Sequence, residues 1–199
     1  MSVHTTDLSN KKCPPFRKTL KASCLDTQLG SMVAIADEAG LYRLEFLDKR
    51  DFKCEIERIQ LSTMALITLG ITGPISSIIC ELKSYFDGTG TQFKTPVHFL
   101  GTHFQRLAWD ELRRTPYGET RSYRAQAEAI GKNKAYRAVA NANGANQLAI
   151  VVPCHRIICS DGSLGGYRAG VMRKQWLINH EKKRMTHVSG HEDKLKNRN

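Results

Sequence analysis

The run Pro153-Cys154-His155-Arg156 carries the residue types that nucleophilic chemistry needs. A thiolate is the reactive form of cysteine, and a nearby base or positive charge lowers the cost of forming it. The apolar run Leu148-Ala-Ile-Val-Val152 reads as a buried strand that delivers Cys154 at its end. Neighbours on an extended chain point to opposite sides. A direct thiol–imidazole contact is therefore not expected, and a bridging water would carry the proton. Glu181, on a helix expected over residues 171–180 and just beyond, has the charge to orient the imidazole. A bare Cys-His dipeptide also suits an inert buried thiol beside an unrelated ring. Other cysteine chemistries fit poorly: a phosphatase loop needs an arginine where this chain has Ser160, and the flanking signature of a papain-like protease is absent.

The elements just upstream must present this group to something. Ser122 is placed to cap a helix over residues 123–130, rich in Ala125, Ala127 and Ala129, and Gly131 ends it. Asn133 reads as the cap of a second helix over residues 134–142. Helix, glycine turn and helix make a helix-turn-helix pattern. Ala135, Ala138, Val139, Ala140 and Ala142 line the second helix around Arg137. A major-groove reader would carry several Asn, Gln or Arg side chains. An alanine surface instead lets backbone approach a groove wall closely, with one long cation to insert, and this favours minor-groove contact without base readout. An ordinary packed helix has the same composition.

The first half reads as a small α/β unit. Residues 31–37 and 41–47 flank Asp37-Glu-Ala-Gly40, a hairpin signature. After Pro74, the residues Ile75, Ile78, Ile79, Leu82 and Phe86 fall on one helical face closed by Asp87-Gly88. A short β-like run covers residues 92–99, and Thr102 caps a helix carrying Phe104, Leu107, Ala108, Trp109 and Leu112 before Pro116. No catalytic residue types cluster in this half, so it reads as scaffold.

Charge is divided unevenly. Residues 1–100 carry 12 Lys/Arg against 11 Asp/Glu, whereas residues 101–199 carry 18 against 8. A basic second half points to a polyanion, with nucleic acid favoured over membrane, although basic charge also serves solubility. Neither a membrane span nor a secretory leader is expected. The six cysteines (Cys13, Cys24, Cys54, Cys80, Cys154 and Cys159) show no paired spacing and read as reduced thiols. Cys13, Cys24 and His98 are conceivable zinc ligands, but no spacing demands a metal.

The order Ser122-Tyr123, Arg137-Ala-Val139, Asn146, Pro153-Cys-His-Arg156, Gly166-Tyr167 and Trp176-Leu177 followed by His180-Glu181 resembles the O6-alkylguanine-DNA alkyltransferases. The match covers residues 101–182 in motif and spacing, and is nearest to the C-terminal half of the bacterial adaptive-response protein. Before residue 100 the chain is compatible with the family's N-terminal α/β domain, described as ribonuclease-H-like. The expected organisation is a flexible lead-in over residues 1–22 and an α/β scaffold over 23–94. A mostly helical DNA-binding and alkyl-acceptor domain with a helix-turn-helix follows over 101–182, then a basic disordered tail over 183–199.

The resemblance implies irreversible, stoichiometric transfer of an alkyl group from O6-alkylguanine, and also O4-alkylthymine, in DNA to Cys154. It implies that the base is flipped from the duplex while Arg137 fills the vacated stack. Tyr123 would rotate the adjoining phosphate and hydrogen-bond guanine N3. His155 would act as base through water, oriented by Glu181, with Asn146 holding the backbone bend. Ser122, Arg124, Ala135, Ala138 and Ala140 would complete the DNA contact. Asn143, Val152, Pro153, Ile157, Tyr167 and Arg168 would form the pocket, the Cys154 and Ile157 carbonyls taking the exocyclic amine and the backbone at Tyr167-Arg168 the O6 side. The implied partner is double-stranded DNA, met by a cytoplasmic bacterial monomer with no membrane contact, cofactor or metal. The chain departs from some members at Gln147-Leu148-Ala149, where they carry a proline-rich loop. It also has no match for their zinc ligands. The competing reading is a non-enzymatic helix-turn-helix protein that binds lesions or regulates. Cys154, His155, Asn146 and Glu181 together in register speak for transfer.

Overall fold

The structure is a computed structural model that describes residues 16–48 and 52–196, with side chains described only to Arg184 in the last helix. Cys13 and the Pro14-Pro15 break lie outside the described residues. Strands β1 (Lys18–Thr27), β2 (Gly30–Ala36) and β3 (Leu41–Phe46) are joined antiparallel, and the expected hairpin is β2–β3, with Met32 opposite Phe46 and Ala34 opposite Leu44. Helix α1 (Phe52–Thr63) crosses to β4 (Ala65–Leu69), which lies parallel to β1. The sheet is therefore mixed, in the order β3-β2-β1-β4. Residues 18–22 belong to β1 and not to a flexible lead-in, because Leu20 and Ala22 are buried on the α1 face of the sheet. Sequence reading placed neither α1 nor β4. Leu61, Leu66 and Leu69 are exposed, which blurs the apolar period there.

Helix α2 (Gly73–Phe86) forms as its periodicity requires. Thr72 Oγ1 accepts the Ile75 N–H at 3.2 Å, Pro74 occupies the first turn, and Ile75, Ile78, Leu82 and Phe86 are buried. Helix α3 (His103–Arg113) starts with a reciprocal capping box between Thr102 and Gln105. Short strands β5 (Arg121–Ser122) and β6 (Ile157–Ile158) pair in parallel. Helix α4 (Tyr123–Ala129) begins where the Ser122 hydroxyl accepts the Ala125 N–H at 3.0 Å, and Gly131 supplies the left-handed turn after it at φ +69°. Helix α5 (Tyr136–Gly144) starts later than expected. Asn133 caps nothing, since the Lys132 and Ala135 N–H groups close the preceding turn on backbone carbonyls, and Ala135 takes the cap position. Helix α6 (Val171–Lys196) runs well past Glu181, so its backbone continues as helix through most of the expected basic tail.

Apolar packing and backbone hydrogen bonds both join the halves. The inner face of the sheet (Met32, Ala34, Leu44 and Phe46) shares one apolar core with Trp109, Leu112, Ile150, Val152 and Leu177. Strand β3 ends the sheet, yet its outer edge is covered. Leu41 exchanges hydrogen bonds with Pro96 and His98, and Leu44 with Gln147 (2.9 Å) and Ala149 (2.8 Å). The β-like run over residues 92–99 contributes only the bridge at Val97. The expected strand over residues 148–152 is likewise one bridge, at Leu148, followed by turns.

Candidate active site

Cys154 is delivered by a tight turn. Ile150 sits at φ +71°, a left-handed conformation costing a β-branched residue about 1–3 kcal/mol. Asn146 ties this turn together. Its Oδ1 accepts the Leu148 N–H at 2.9 Å, and its Nδ2 donates to the Val152 carbonyl at 2.8 Å and to Cys154 Sγ at 3.2 Å. Cys154 itself opens a single 3₁₀ turn (Cys154–Arg156) and is 7% exposed.

Behind the sulfur lies a buried polar chain. His155 Nε2 meets Glu181 Oε1 at 2.8 Å, with the ring fully enclosed. Tyr85 donates its hydroxyl to Glu181 at 2.8 Å, the Gly118 N–H donates at 3.0 Å, and Arg156 donates through Nε at 2.9 Å and a terminal nitrogen at 3.1 Å. Burial alone would raise the Glu181 carboxyl, but the His155 and Arg156 contacts reverse that and bring it down to about 2. Burial also holds the His155 imidazole below its ordinary range despite the carboxylate. At neutral pH the ring is therefore uncharged, and Arg156 supplies the positive charge that faces Glu181. An ionised carboxylate only accepts, so the shared proton sits on Nε2 and Nδ1 is left as the base. Nδ1 is buried with no hydrogen-bond partner among the described residues.

In front of the sulfur is a cavity of about 200 Å³, lined by Tyr123, Ala140, Asn141, Asn143, Gly144, Cys154, Gly166, Tyr167 and Arg168. Asn143 is fixed there by a reciprocal amide pair with Gln126 (2.7 and 3.2 Å). Gln126 also donates to the Ala108 carbonyl, and Trp109 to that of Ala142, so α3, α4 and α5 are locked together. Gly165, at φ +63°, lets the backbone close on Tyr123, since a Cβ there would stand 3.2 Å from its hydroxyl. Arg137 and Ala138 are exposed on α5, Ala135 and Ala140 half-buried beside them, and Arg124 exposed on α4 with Ser122 at its start.

Two expected pocket residues fall elsewhere: Val152 is fully buried in the core and Pro153 lines a separate cavity with Arg113 and Tyr117, because the chain turns at 150 instead of running straight to Cys154. The Ile157 side chain is buried in the core too, while its carbonyl, the group expected in the pocket, accepts a hydrogen bond from Lys174. Sequence reading missed Asn141 and Gly144, although their spacing from Arg137 and Ala140 puts them on the same face of α5. It also missed Tyr85 and Arg156 as partners of Glu181. Lys174 was missed too: fully buried, it donates to the carbonyls of Ile157, Leu164 and Gly166. Burial lowers its ammonium pKa, partly offset by the neighbouring Cys154 and Cys159 sulfurs. No spacing signal marks these three, as each is distant in sequence from what it touches.

Residues 103–183 match the family model described as 6-O-methylguanine DNA methyltransferase, DNA binding domain. A methylated-DNA–protein-cysteine methyltransferase of Methanosarcina barkeri is 35% identical over 154 residues, covering 77% of this chain and 92% of the relative. The bifunctional transcriptional activator/DNA repair enzyme Ada of Escherichia coli is 53% identical over 101 residues, covering 51% of this chain and 28% of that protein. The crystal structure of Mycobacterium tuberculosis OGT in complex with DNA superposes with a TM-score of 0.71 at 35% identity, covering 82% of this chain and 94% of that one.

Proposed function

The chain belongs to the methylated-DNA–protein-cysteine methyltransferase family, and from that membership we propose a DNA repair protein that takes the alkyl group of O6-alkylguanine onto Cys154. The observation that carries the assignment of Cys154 is its sulfur on a cavity wall, hydrogen-bonded by Asn146, with an imidazole–carboxylate pair behind it. Cys159 is the other sulfur near Tyr123, and it lines no part of this cavity.

The thiol proton passes through water to His155 Nδ1, and the imidazolium that forms is held by Glu181. Sγ then attacks the alkyl carbon. The new S–C bond forms as the C–O6 bond breaks, and its electron pair leaves with the guanine. An ether carbon is a poor electrophile unless that anion is stabilised, so donors at N3 and O6 must strengthen as charge develops. Tyr123 serves N3, and backbone N–H groups at Tyr167-Arg168 serve O6. The proton taken from the thiol returns to the guanine, which balances the reaction. The thioether product has no leaving group that the site can expel, so each molecule acts once.

The helical half works as a helix-turn-helix, with α5 in the minor groove, and the sheet half as its ribonuclease-H-like scaffold. Alanines on the exposed face of α5 let its backbone approach the groove, and Arg137 occupies the space of the flipped nucleotide. Flipping costs a few kcal/mol, and less at a weakened lesion pair.

Intact mass after incubation with duplex containing O6-methylguanine tests this reading. One methyl group replacing one proton, on the Cys154 peptide, is the expected result. Unchanged mass with retained DNA binding would show a lesion binder and not a transferase. Arg137→Ala is expected to slow transfer from duplex by about 10²-fold or more, while reaction with free O6-methylguanine base changes little, because only the duplex has to be opened. Equal slowing on both substrates would assign Arg137 to the pocket.

A further inference from the structure

The cavity wall facing α5 includes Tyr167 and Arg168, and the Arg168 side chain reaches out of its own domain. Its Nε donates to Glu45 at 2.9 Å, and a terminal nitrogen donates to Glu55 at 2.9 Å. Glu45 lies on β3 and Glu55 on α1. Both carboxylates also engage Arg43, at 2.6 Å for Glu55, and Arg43 is only 1% exposed. Two carboxylates thus bridge two guanidinium groups, one from each half of the chain. Arg173 makes a second tie beside this one, bonding Asp48 at 2.8 Å and the Leu29 carbonyl at 2.9 Å, with its guanidinium 4.1 Å from the Phe46 ring centre.

The neighbour of Glu45 on β3 is Leu44, whose two backbone hydrogen bonds hold Gln147 and Ala149 in the turn that delivers Cys154. Two consecutive residues of one strand therefore grip both sides of the site, the turn behind the sulfur and the wall facing it. Buried ion pairs gain little stability over apolar side chains of the same size. Charges at Arg43 and Glu45, on a strand whose other residues are all buried, are better explained by what they hold in place.

We infer that Glu45 and Glu55 are positioning residues for alkyl transfer, acting through Arg168 to fix the Tyr167-Arg168 wall relative to Cys154. The inference rests on Cys154 being the acceptor.

Arg168→Gln is the informative substitution, since Glu45 and Glu55 keep Arg43 as partner and no buried carboxylate loses its last guanidinium. The single-turnover rate constant at saturating O6-methylguanine duplex is expected to fall about tenfold, with the half-saturating duplex concentration unchanged, because misplacement by a fraction of an ångström acts on the reacting geometry. Glu55→Gln should slow the same step, and the double variant should be no slower than Arg168→Gln alone, as one linkage can be broken only once. A rate within about twofold of the unsubstituted protein, or a double variant slowed by the product of the single effects, overturns the inference. Absence of any methyl gain in the unsubstituted protein would instead overturn the assignment of Cys154.

Discussion

Cys154→Ser is expected to abolish alkyl transfer, lowering its rate by at least about 10³-fold, while leaving binding to methylated duplex intact. The hydroxyl is nearly isosteric, so the Asn146 amide that now donates to Sγ at 3.2 Å keeps an acceptor and the strained turn keeps its tie. What disappears is the anion. A serine hydroxyl holds its proton far more tightly than a thiol, and a neutral imidazole beside Glu181 is too weak a base to remove it before attack on an sp³ carbon. Intact mass and a gel-shift titration, run on the same preparation, separate the two properties. A methyl group gained by the serine variant on Cys159 would move the acceptor to that residue, and the cavity beside Cys154 would not be where transfer occurs.

Glu181→Gln is the second large effect, because one carboxylate serves both stability and chemistry. Five hydrogen bonds from Tyr85, Gly118, His155 and Arg156 converge on it, and it is 1% exposed. Neutralising it leaves the buried Arg156 without a counter-charge, a loss of about 3–5 kcal/mol for breaking such a pair. The His155 imidazolium also loses its stabilising anion, so transfer should slow by about 10²–10⁴-fold. The pH dependence has a definite sign. The Glu181 carboxyl is lowered to about 2 by folding, so its contribution is complete above its ordinary pKa of 4.5 and is lost as pH falls toward 2. The His155 pKa is lowered as well. Below about pH 6.5 the unfolded chain therefore binds a proton that the folded one refuses, and stability declines on acidification from there. Urea midpoints measured from pH 7 to 3 should fall steadily for the unsubstituted protein. For Glu181→Gln the curve should start lower and fall less steeply below pH 4.5, where Asp37 and Glu55, also lowered by their partners, still titrate. Parallel curves would mean that the carboxylate is not the titrating group.

Local chemistry in the sequence determined most of the elements near the site. Thr72, Thr102 and Ser122 cap α2, α3 and α4 because a side-chain oxygen two or three residues before a free N–H is a short-range arrangement. The β2–β3 hairpin follows from alternation about a turn, and the motif around Cys154, with Asn146 and Glu181, carries its identity in residue types and spacing. Where local rules failed, a distant contact had outweighed them. Residues 148–152 have the composition of a buried strand, yet only Leu148 bridges β3, since Asn146 folds the rest into a turn with Ile150 left-handed. The alternating pattern of β3 gave no hint that all six of its residues would be buried, which takes α1 on one face, α2 and the second half on the other. Tertiary structure alone decided that Tyr85, Gly118 and Arg156 join His155 around Glu181, that Lys174 holds three carbonyls, and that Arg168 is tied to Glu45 and Glu55 across more than a hundred residues. The physical reason is the same in each case. A buried charge must find its partner wherever the completed core brings one within hydrogen-bond reach, and no period or spacing along the chain encodes that meeting.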